Sequence, residues 1–480
     1  METCPYATLG RDEARAAYGL APEGEPGPIP CMPIGEAYDM GRADDGTPLV
    51  DPRLFDSPEF RRNPYPYLRI LRDHHPVFHD QLHNCYWVTR YETIEACYLD
   101  EIGYNTIPKG SSSGVLGNTQ LELSGVEHRR RRNVYGRHLV GGALTKRIPA
   151  LQRLAEEMVA AWFAEGGPAE LDPATGRYTI EFGRAFANEF PIRVVCQVLG
   201  FPDDARDRFF YWYHSMMTGL GGAEGHAEGL EARRELEEYV GSLVEARRSE
   251  PSYLYDADGN EVAMDIISEL CHSVIDGDVM STEEITSFIA LIVGGGGETT
   301  RGSILNMWYL LLQHPDQLAE VLVDEELWPQ TFQEALRHAT PVGGLQPRHN
   351  TFDVELHGVH VPAGSLLKMV DYSANHDERV FAEPERFDIH RVDLYTGKIL
   401  RSGHHKDGRH SHLGFGVGTH LCPGAWISTQ ESVVGSQIVG RHVANPTLAV
   451  DRMPKDVDGV TPVPIGVGAI DELWIEFDRV

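Results

Sequence analysis

What the chain has little of narrows it first. Cysteine is scarce: seven residues in 480, at positions 4, 31, 85, 97, 196, 271 and 422, an odd number with no CxxC pair. That pattern excludes a disulfide framework and fits a reducing compartment. No stretch of about 18 apolar residues occurs. The first residues, METCPYATLGRDEARAAYG, hold no apolar core run, so neither a signal peptide nor a membrane anchor is expected. Positive charge is also short, with 42 Lys and Arg against 72 Asp and Glu and a formal net charge of -30. So acidic a chain is a poor general binder of nucleic acid or anionic membrane. The expectation is a cytoplasmic protein with no nucleic-acid partner and no membrane partner.

What is present is enough for a large core, since 41% of residues are hydrophobic. Residues 1–50 are rich in Gly, Pro and acid ("APEGEPGPIP", "GRADDGTPLV") and read as an irregular N-terminal arm, with residues 51–480 as a single catalytic domain. "HPVFH" and "CYWVTR" read as short strands joined by a turn, and "RYETIEACYLD" as a helix. Residues 100–126 form a long polar loop of the kind that often serves as a lid. Helical spacing dominates from His128 to about Glu250. A capping box, Ser281 with Glu284, opens a long helix expected to run through "ITSFIALIVGGGGETTRGSILNMWYLLLQ". Four consecutive glycines inside it cost roughly 1 kcal/mol each relative to Ala. Such a violation belongs to a functional site. Strands return in "FDVELHGVHVPAGSLLKM". The fold class expected is mainly α with small β-sheets.

One cysteine stands apart. "HLGFGVGTHLCPG", His412 to Gly424, sets Cys422 among glycines ahead of the helical stretch "GAWISTQESVVGSQIV". A thiolate that ligates a metal needs donors aimed at it. Glycines let the backbone bend and approach a large flat ligand, and a following helix places its positive end near the sulfur. Two plainer readings stand beside this one. Cys422 can be a free cysteine in a loop, or a zinc ligand with His404, His405, His410 or His412, although zinc calls for about four ligands and one cysteine is available nearby.

The loop resembles the haem loop of the cytochrome P-450 family of haem-thiolate monooxygenases, FGxGxHxCxG, with Phe415, Gly416, Gly418, His420, Cys422 and Gly424 at matching positions. The resemblance extends from about residue 60 to the C-terminus and includes "ANHDERVFAEPERFD". It implies the cytochrome P-450 fold, with haem b between the distal helix and the cysteine loop with its following helix. It implies that Cys422 is the axial iron ligand and that His420 meets a haem propionate. By the same resemblance "GGGGETT" is the oxygen-binding stretch, with Gly295 and Gly296 against the haem and Glu298 and Thr299 as the acid–alcohol pair. Dioxygen cleavage consumes two protons, which a hydroxyl can position and a carboxylate can relay. The plainer reading makes Thr299 a back-bonded helix residue and Glu298 a solvated charge.

The "EALR" stretch supplies Glu334 and Arg337, an i,i+3 pair on one helix face. The resemblance adds Arg386 of "PERF" to complete a structural triad. His128 and Arg132 in "EHRRRRNV" and Arg348 in "LQPRHNT" fall where the family carries haem-propionate cations. Pocket walls are expected from residues 100–122, from Ile289, Ala290, Val293 and Gly294, and from Val342 and Leu345.

Three departures from the family pattern carry expectations. Pro423 has no N–H to offer the sulfur, which implies a more strongly donating thiolate. Thr429 stands where the family often has arginine, so an acidic redox partner loses one cation and Arg129, Arg130, Arg131 and Arg137 could substitute. Gly297 replaces a larger side chain, which reads as extra room above the haem. The implied activity is insertion of one oxygen atom of dioxygen into a small apolar substrate, by hydroxylation or oxidative demethylation. Electrons would come from a ferredoxin or flavodoxin with its NAD(P)H-dependent reductase, since the chain carries no second glycine fingerprint and no cysteine set of its own. Two alternatives remain at this point. One is a peroxide-driven haem-thiolate peroxygenase, the other a non-catalytic haem-based gas or redox sensor.

Overall fold

In the computed structural model, residues 42–106, 115–116, 119–136, 139–202, 205–220, 223–255, 261–275, 277–342, 345–397, 408–454 and 468–480 are described. Residues 1–41 of the expected arm, residues 107–114 and 117–118 of the expected lid, His404, His405 and Arg137 lie outside them.

Helices carry the fold. The longer ones are α1 (Tyr65–His74), α2 (Tyr91–Leu99), α3 (Gly125–Gly136), α4 (Ile148–Trp162), α5 (Phe190–Leu199), α6 (Arg206–Leu220), α7 (Ala223–Ser249), α8 (Ile266–His272), α9 (Thr282–Gly296), α10 (Glu298–Gln313), α11 (Pro315–Val323), α12 (Trp328–His338) and α13 (Ala425–His442). The capping box forms as expected: the Ser281 side chain accepts from the Glu284 N–H, and the Glu284 carboxylate accepts from the Ser281 N–H. The helix it opens does not run unbroken to Gln313. It ends at Gly296, and α10 restarts at Glu298 after Gly297. Four residues of poor helix propensity give the chain a place to break without a proline.

The expected hairpin forms from β1 (Val77–Asp80) and β2 (Cys85–Val88). With β3 (Tyr104–Asn105), β4 (Leu345–Asn350) and β5 (Leu366–Val370) it builds a five-stranded sheet in the order β1-β2-β5-β4-β3. All its pairings are antiparallel except β5 on β2. A second sheet joins Val443–Leu448, Trp474–Arg479, Tyr178–Glu181 and Glu170–Leu171. The main core lies among the helices and buries Trp162, Trp212, Trp308 and Trp328. Helices α9 and α10 run through it: α9 packs on α5, α6 and α7, and α10 on α12 and α13. No described helix is long and apolar enough to cross a membrane.

Candidate active site

The cysteine loop is held from two sides. The Cys422 N–H donates to the Phe415 carbonyl at 2.9 Å, which closes the loop on itself. Gly416 and Gly418 adopt φ of +65° and +79°. At Gly418 a Cβ would come within 2.8 Å of the Tyr98 carbonyl oxygen, so only glycine fits the turn there. Outward, the Leu413 N–H donates to Asn375 Oδ1 at 2.7 Å. His412 Nδ1 accepts from the Gly414 N–H at 3.1 Å, so its Nε2 carries the proton that goes to Gln333 Oε1 at 2.9 Å. Burial, helped by the Arg337 charge, lowers the His412 pKa to about 3 and keeps the ring neutral. The loop thereby hangs on α12.

Cys422 itself is half-buried. Burial pushes its thiol pKa up, while the Gly424 N–H, the Arg132 charge and the Ala425 N–H act against that and favour the thiolate. Both amides lie at the start of α13, whose N-cap is Gly424. Pro423 supplies no N–H, and its two successors do.

Beside the loop is a cradle of nitrogen groups. His128 and Arg132, four residues apart on α3, are almost fully buried, as is Arg348 on β4. Arg132 donates to the Leu421 carbonyl. The His128 and His420 rings stack with centroids 4.0 Å apart. Burial first, then His128, Arg348 and Arg132, lower the His420 pKa to about 3. A neutral imidazole surrounded by cationic groups marks a place that attracts an anion. Glu101, at the end of α2, brings a carboxylate close to the pair: its ligand atom and those of His128 and His420 all lie within 4.8 Å of one another. Sequence reasoning passed over Glu101, because nothing in its spacing announces the approach. The positive surroundings of the cluster favour a carboxylate ligand over a cation. Among the described residues no such group includes Cys422; His404 and His405 of the zinc reading lie outside them.

Behind Arg348 lies a buried acid. Arg348 sits over the Tyr98 ring at 4.7 Å, and the Tyr98 hydroxyl donates to Asp371 Oδ1 at 2.8 Å. Burial raises the Asp371 pKa from 3.8 to about 8, with Tyr98 and Arg348 acting against it. A folded-state pKa raised in this way gives stability that is complete at acid pH and is lost as pH rises toward 8. Asp371→Asn removes that dependence. Its melting temperature is expected to gain on the native protein steadily between pH 5 and pH 8 and then level off, at no more than about 1.4 kcal/mol per pH unit. A constant difference across that range would contradict the assignment.

On the distal side the four glycines have different surroundings. A Cβ at Gly295 would meet nothing within 4 Å, whereas one at Gly294 would come within 2.9 Å of Met217 and one at Gly296 within 3.0 Å of Val195. Gly297 does not open the cavity as expected: a Cβ there would strike the Tyr213 ring at 2.9 Å. Ile289 and Val293 need the same correction. At 0% and 1% exposed they are packed in the core, as is Ala290. The open face of α9 and α10 carries Ile292, Gly295 and Thr299 instead, at i, i+3 and i+7. Val342 is exposed, and the side chain of Leu345 lies outside the described residues. Thr299 donates its hydroxyl to the Gly295 carbonyl at 2.8 Å. Its oxygen lone pairs stay available on that open face. Glu298 is not a freely solvated charge: its Oε1 pairs with Arg301 at 2.7 Å and its Oε2 accepts from the Tyr213 hydroxyl at 2.9 Å. Thr300 donates to Ser428 Oγ at 3.1 Å and ties α10 to α13.

The triad forms with a different third member. Glu334 and Arg337 make two hydrogen bonds, at 2.7 and 2.8 Å. Arg386 is 63% exposed and pairs with Glu383 and Asp388, lending the triad only its carbonyl. Arg391, 6% exposed, reaches Glu334 Oε1 at 3.3 Å. A buried carboxylate selects the arginine that is itself desolvated. The expected substitute docking patch is likewise changed. Arg129 pairs with Glu101, and Arg130 and Arg131 pair with Glu127 and Glu284.

A thiol at a helix start, a glycine-rich loop, an anion-seeking cradle and a helix broken beside a hydroxyl are the features that a haem-thiolate protein needs. The Cytochrome P450 family model matches residues 322–436. The pulcherriminic acid synthase of Bacillus subtilis is 27% identical over 401 residues, covering 82% of this chain and 92% of that protein. The vitamin D(3) 25-hydroxylase of Pseudonocardia autotrophica is 27% identical, covering 85% and 95%. The steroid C26-monooxygenase of Mycobacterium tuberculosis is 29% identical, covering 62% and 74%. Among solved structures, the cytochrome P450 CYP109E1 of Bacillus megaterium with corticosterone superposes with a TM-score of 0.69 at 22% identity, covering 87% of this chain and 99% of that one. Taken together, these matches support a bacterial-type cytochrome P450 that is by class a monooxygenase.

Proposed function

We propose that Cys422 holds haem b through its thiolate and that the protein uses dioxygen to oxidise an apolar organic substrate. The observation that carries this reading is the half-buried Cys422 thiol at the start of α13, with the Gly424 and Ala425 amides and Arg132 favouring its charged form. His128, Arg132, Arg348 and His420 would hold the propionates, since their cradle attracts anions. Phe415, Gly416 and Gly424 would let the ring lie close to the loop, and Gly295 would leave space on the opposite side. The bound haem supplies the redox chemistry. The chain's own residues supply the protons. Glu298, 54% exposed, can load a proton from solvent, and Thr299 presents lone pairs on the open face where a proton is needed. A sensor has no use for such a pair, and a peroxygenase has no need to deliver protons to dioxygen.

The substrate class we favour is a rigid, sterol-sized apolar molecule. The open helix face offers Ile292 and bare backbone at Gly295, and two relatives are named for vitamin D(3) and steroid oxidation. Electrons would arrive from a ferredoxin or flavodoxin with its reductase. With Arg129, Arg130 and Arg131 already paired, and with Thr429 in the proximal helix, its docking should depend weakly on salt. Thr299→Ala is expected to keep electron consumption within about twofold while product per electron falls roughly tenfold. The measurement is product against NAD(P)H consumed, with oxygen-18 gas as the label. Unchanged coupling, or product oxygen that does not come from the gas, would reject the dioxygen assignment.

A further inference from the structure

Gly297 and Glu298 are neighbours at the break between α9 and α10, and one residue of α6 touches both. The Tyr213 ring occupies the space where a Gly297 side chain would stand, with Cε2 at 2.9 Å and Cζ at 3.0 Å from the Cβ position. Its hydroxyl then reaches Glu298 Oε2 at 2.9 Å. One turn further along α6, Met217 fills the corresponding space at Gly294, 2.9 Å from the Cβ position there. Tyr213 and Met217 are i,i+4 on one helix face, and Gly294 and Gly297 are i,i+3 on the other. Two glycines of the run thus seat α6 against the distal helix at two points.

We infer that Tyr213 is a positioning residue which, seated by Gly297, clamps Glu298 away from its proton-delivering position and links that carboxylate to the position of α6. The inference rests on the reading of Glu298 as the proton relay. Each carboxylate oxygen is committed. Oε1 is held by Arg301, which is itself fixed by Asn188 Oδ1 and the Asp471 carbonyl, both at 2.7 Å. Oε2 is held by the phenol. The phenol keeps its proton, because burial first and the Glu298 charge second push its pKa well up. It therefore serves as a donor and not as a base. For a proton to pass from solvent through Glu298 to the Thr299 side, Oε2 must leave the phenol. Arg301 belongs to the same helix as Glu298 and moves with it. Tyr213 belongs to another helix, so any shift of α6 loosens the clamp on Oε2 alone.

The test uses the haem-loaded protein and three variants, Tyr213→Phe, Gly297→Ala and Glu298→Gln. Subtracting the infrared spectrum of Glu298→Gln isolates the Glu298 carboxylate stretch. Tyr213→Phe is expected to shift that band to the position of a carboxylate with one donor fewer. Gly297→Ala, which displaces the ring, should shift it in the same direction while leaving the phenol in place. The double variant should shift it no further than either alone. In turnover, both single variants should change kcat by about three- to tenfold and reduce its solvent isotope effect, with KM held within about twofold. A band and isotope effect identical to the native protein in Tyr213→Phe overturns the clamp. A Glu298→Gln variant with native kcat and isotope effect overturns the relay reading instead, and the band positions still decide whether the clamp exists.

Discussion

Replacing Cys422 by alanine is expected to abolish product formation while leaving the fold standing. The side chain is half-buried, and the bond that closes the loop comes from its backbone N–H to the Phe415 carbonyl, which alanine keeps. Stability should therefore change by no more than about 1 kcal/mol. The loss falls on the cofactor. Without the sulfur, the two amides at the start of α13 and Arg132 have no charge to stabilise. Haem would be held by the propionate cradle alone, in reduced amount, and turnover should drop by at least about a thousandfold. Helical circular dichroism, haem content and turnover separate these effects. A variant that keeps a tenth of native turnover would contradict the assignment.

Glu334→Ala should act in the opposite way, through the fold. All five N–H donors of Arg337 are used: Nε and one Nη2 donor go to Glu334, and the others go to the carbonyls of Asn375, Pro384 and Arg386. Glu334 also accepts from the Asp388 N–H at 3.0 Å and from Arg391. Removing the carboxylate leaves two desolvated guanidinium groups facing each other. The cost of breaking such a pair is about 3–5 kcal/mol, a large part of an ordinary domain's stability. The damage also reaches the cysteine loop, since the Asn375 bonded to Arg337 is the residue that anchors Leu413. The expected result is a fall in melting temperature accompanied by loss of haem. Arg386→Ala, by contrast, should cost less than about 1 kcal/mol, because its side chain makes only surface pairs. Equal losses in the two variants would refute the reassignment of the third cation to Arg391.

The contrast between Arg386 and Arg391 illustrates what a sequence can disclose. Local signals were legible: the Ser281 capping box and the β1–β2 hairpin act within a few residues of themselves, and the glycines around Cys422 announce a tight loop. The i,i+3 pairing of Glu334 and Arg337 was equally plain. Which distant arginine completes the pair depends on how residues 384–391 fold back on α12, and two arginines five positions apart offer the same charge. The glycine run behaved similarly. Its cost to a helix announced a special site, but Gly294, Gly296 and Gly297 prove to be seats for Met217, Val195 and Tyr213, and only Gly295 is open. The pocket face slipped for a geometric reason. The Thr299 hydroxyl still bonds the Gly295 carbonyl across the break, and helical steps back from Thr299 give Gly295 and Ile292 in place of Ile289 and Val293. Glu101 and Tyr213 carry no sequence signal at all, since each acquires its role only when a separate helix is brought alongside.

The most direct test of the central claim is the absorption spectrum of the purified, haem-loaded protein after reduction and exposure to carbon monoxide. If Cys422 binds the iron as a thiolate, the native protein will show the strongly red-shifted main band that gives the family its name, and Cys422→His will lose it while still binding haem. The same unshifted band in both proteins would mean that Cys422 does not hold the iron, and the account of the site would fall with it.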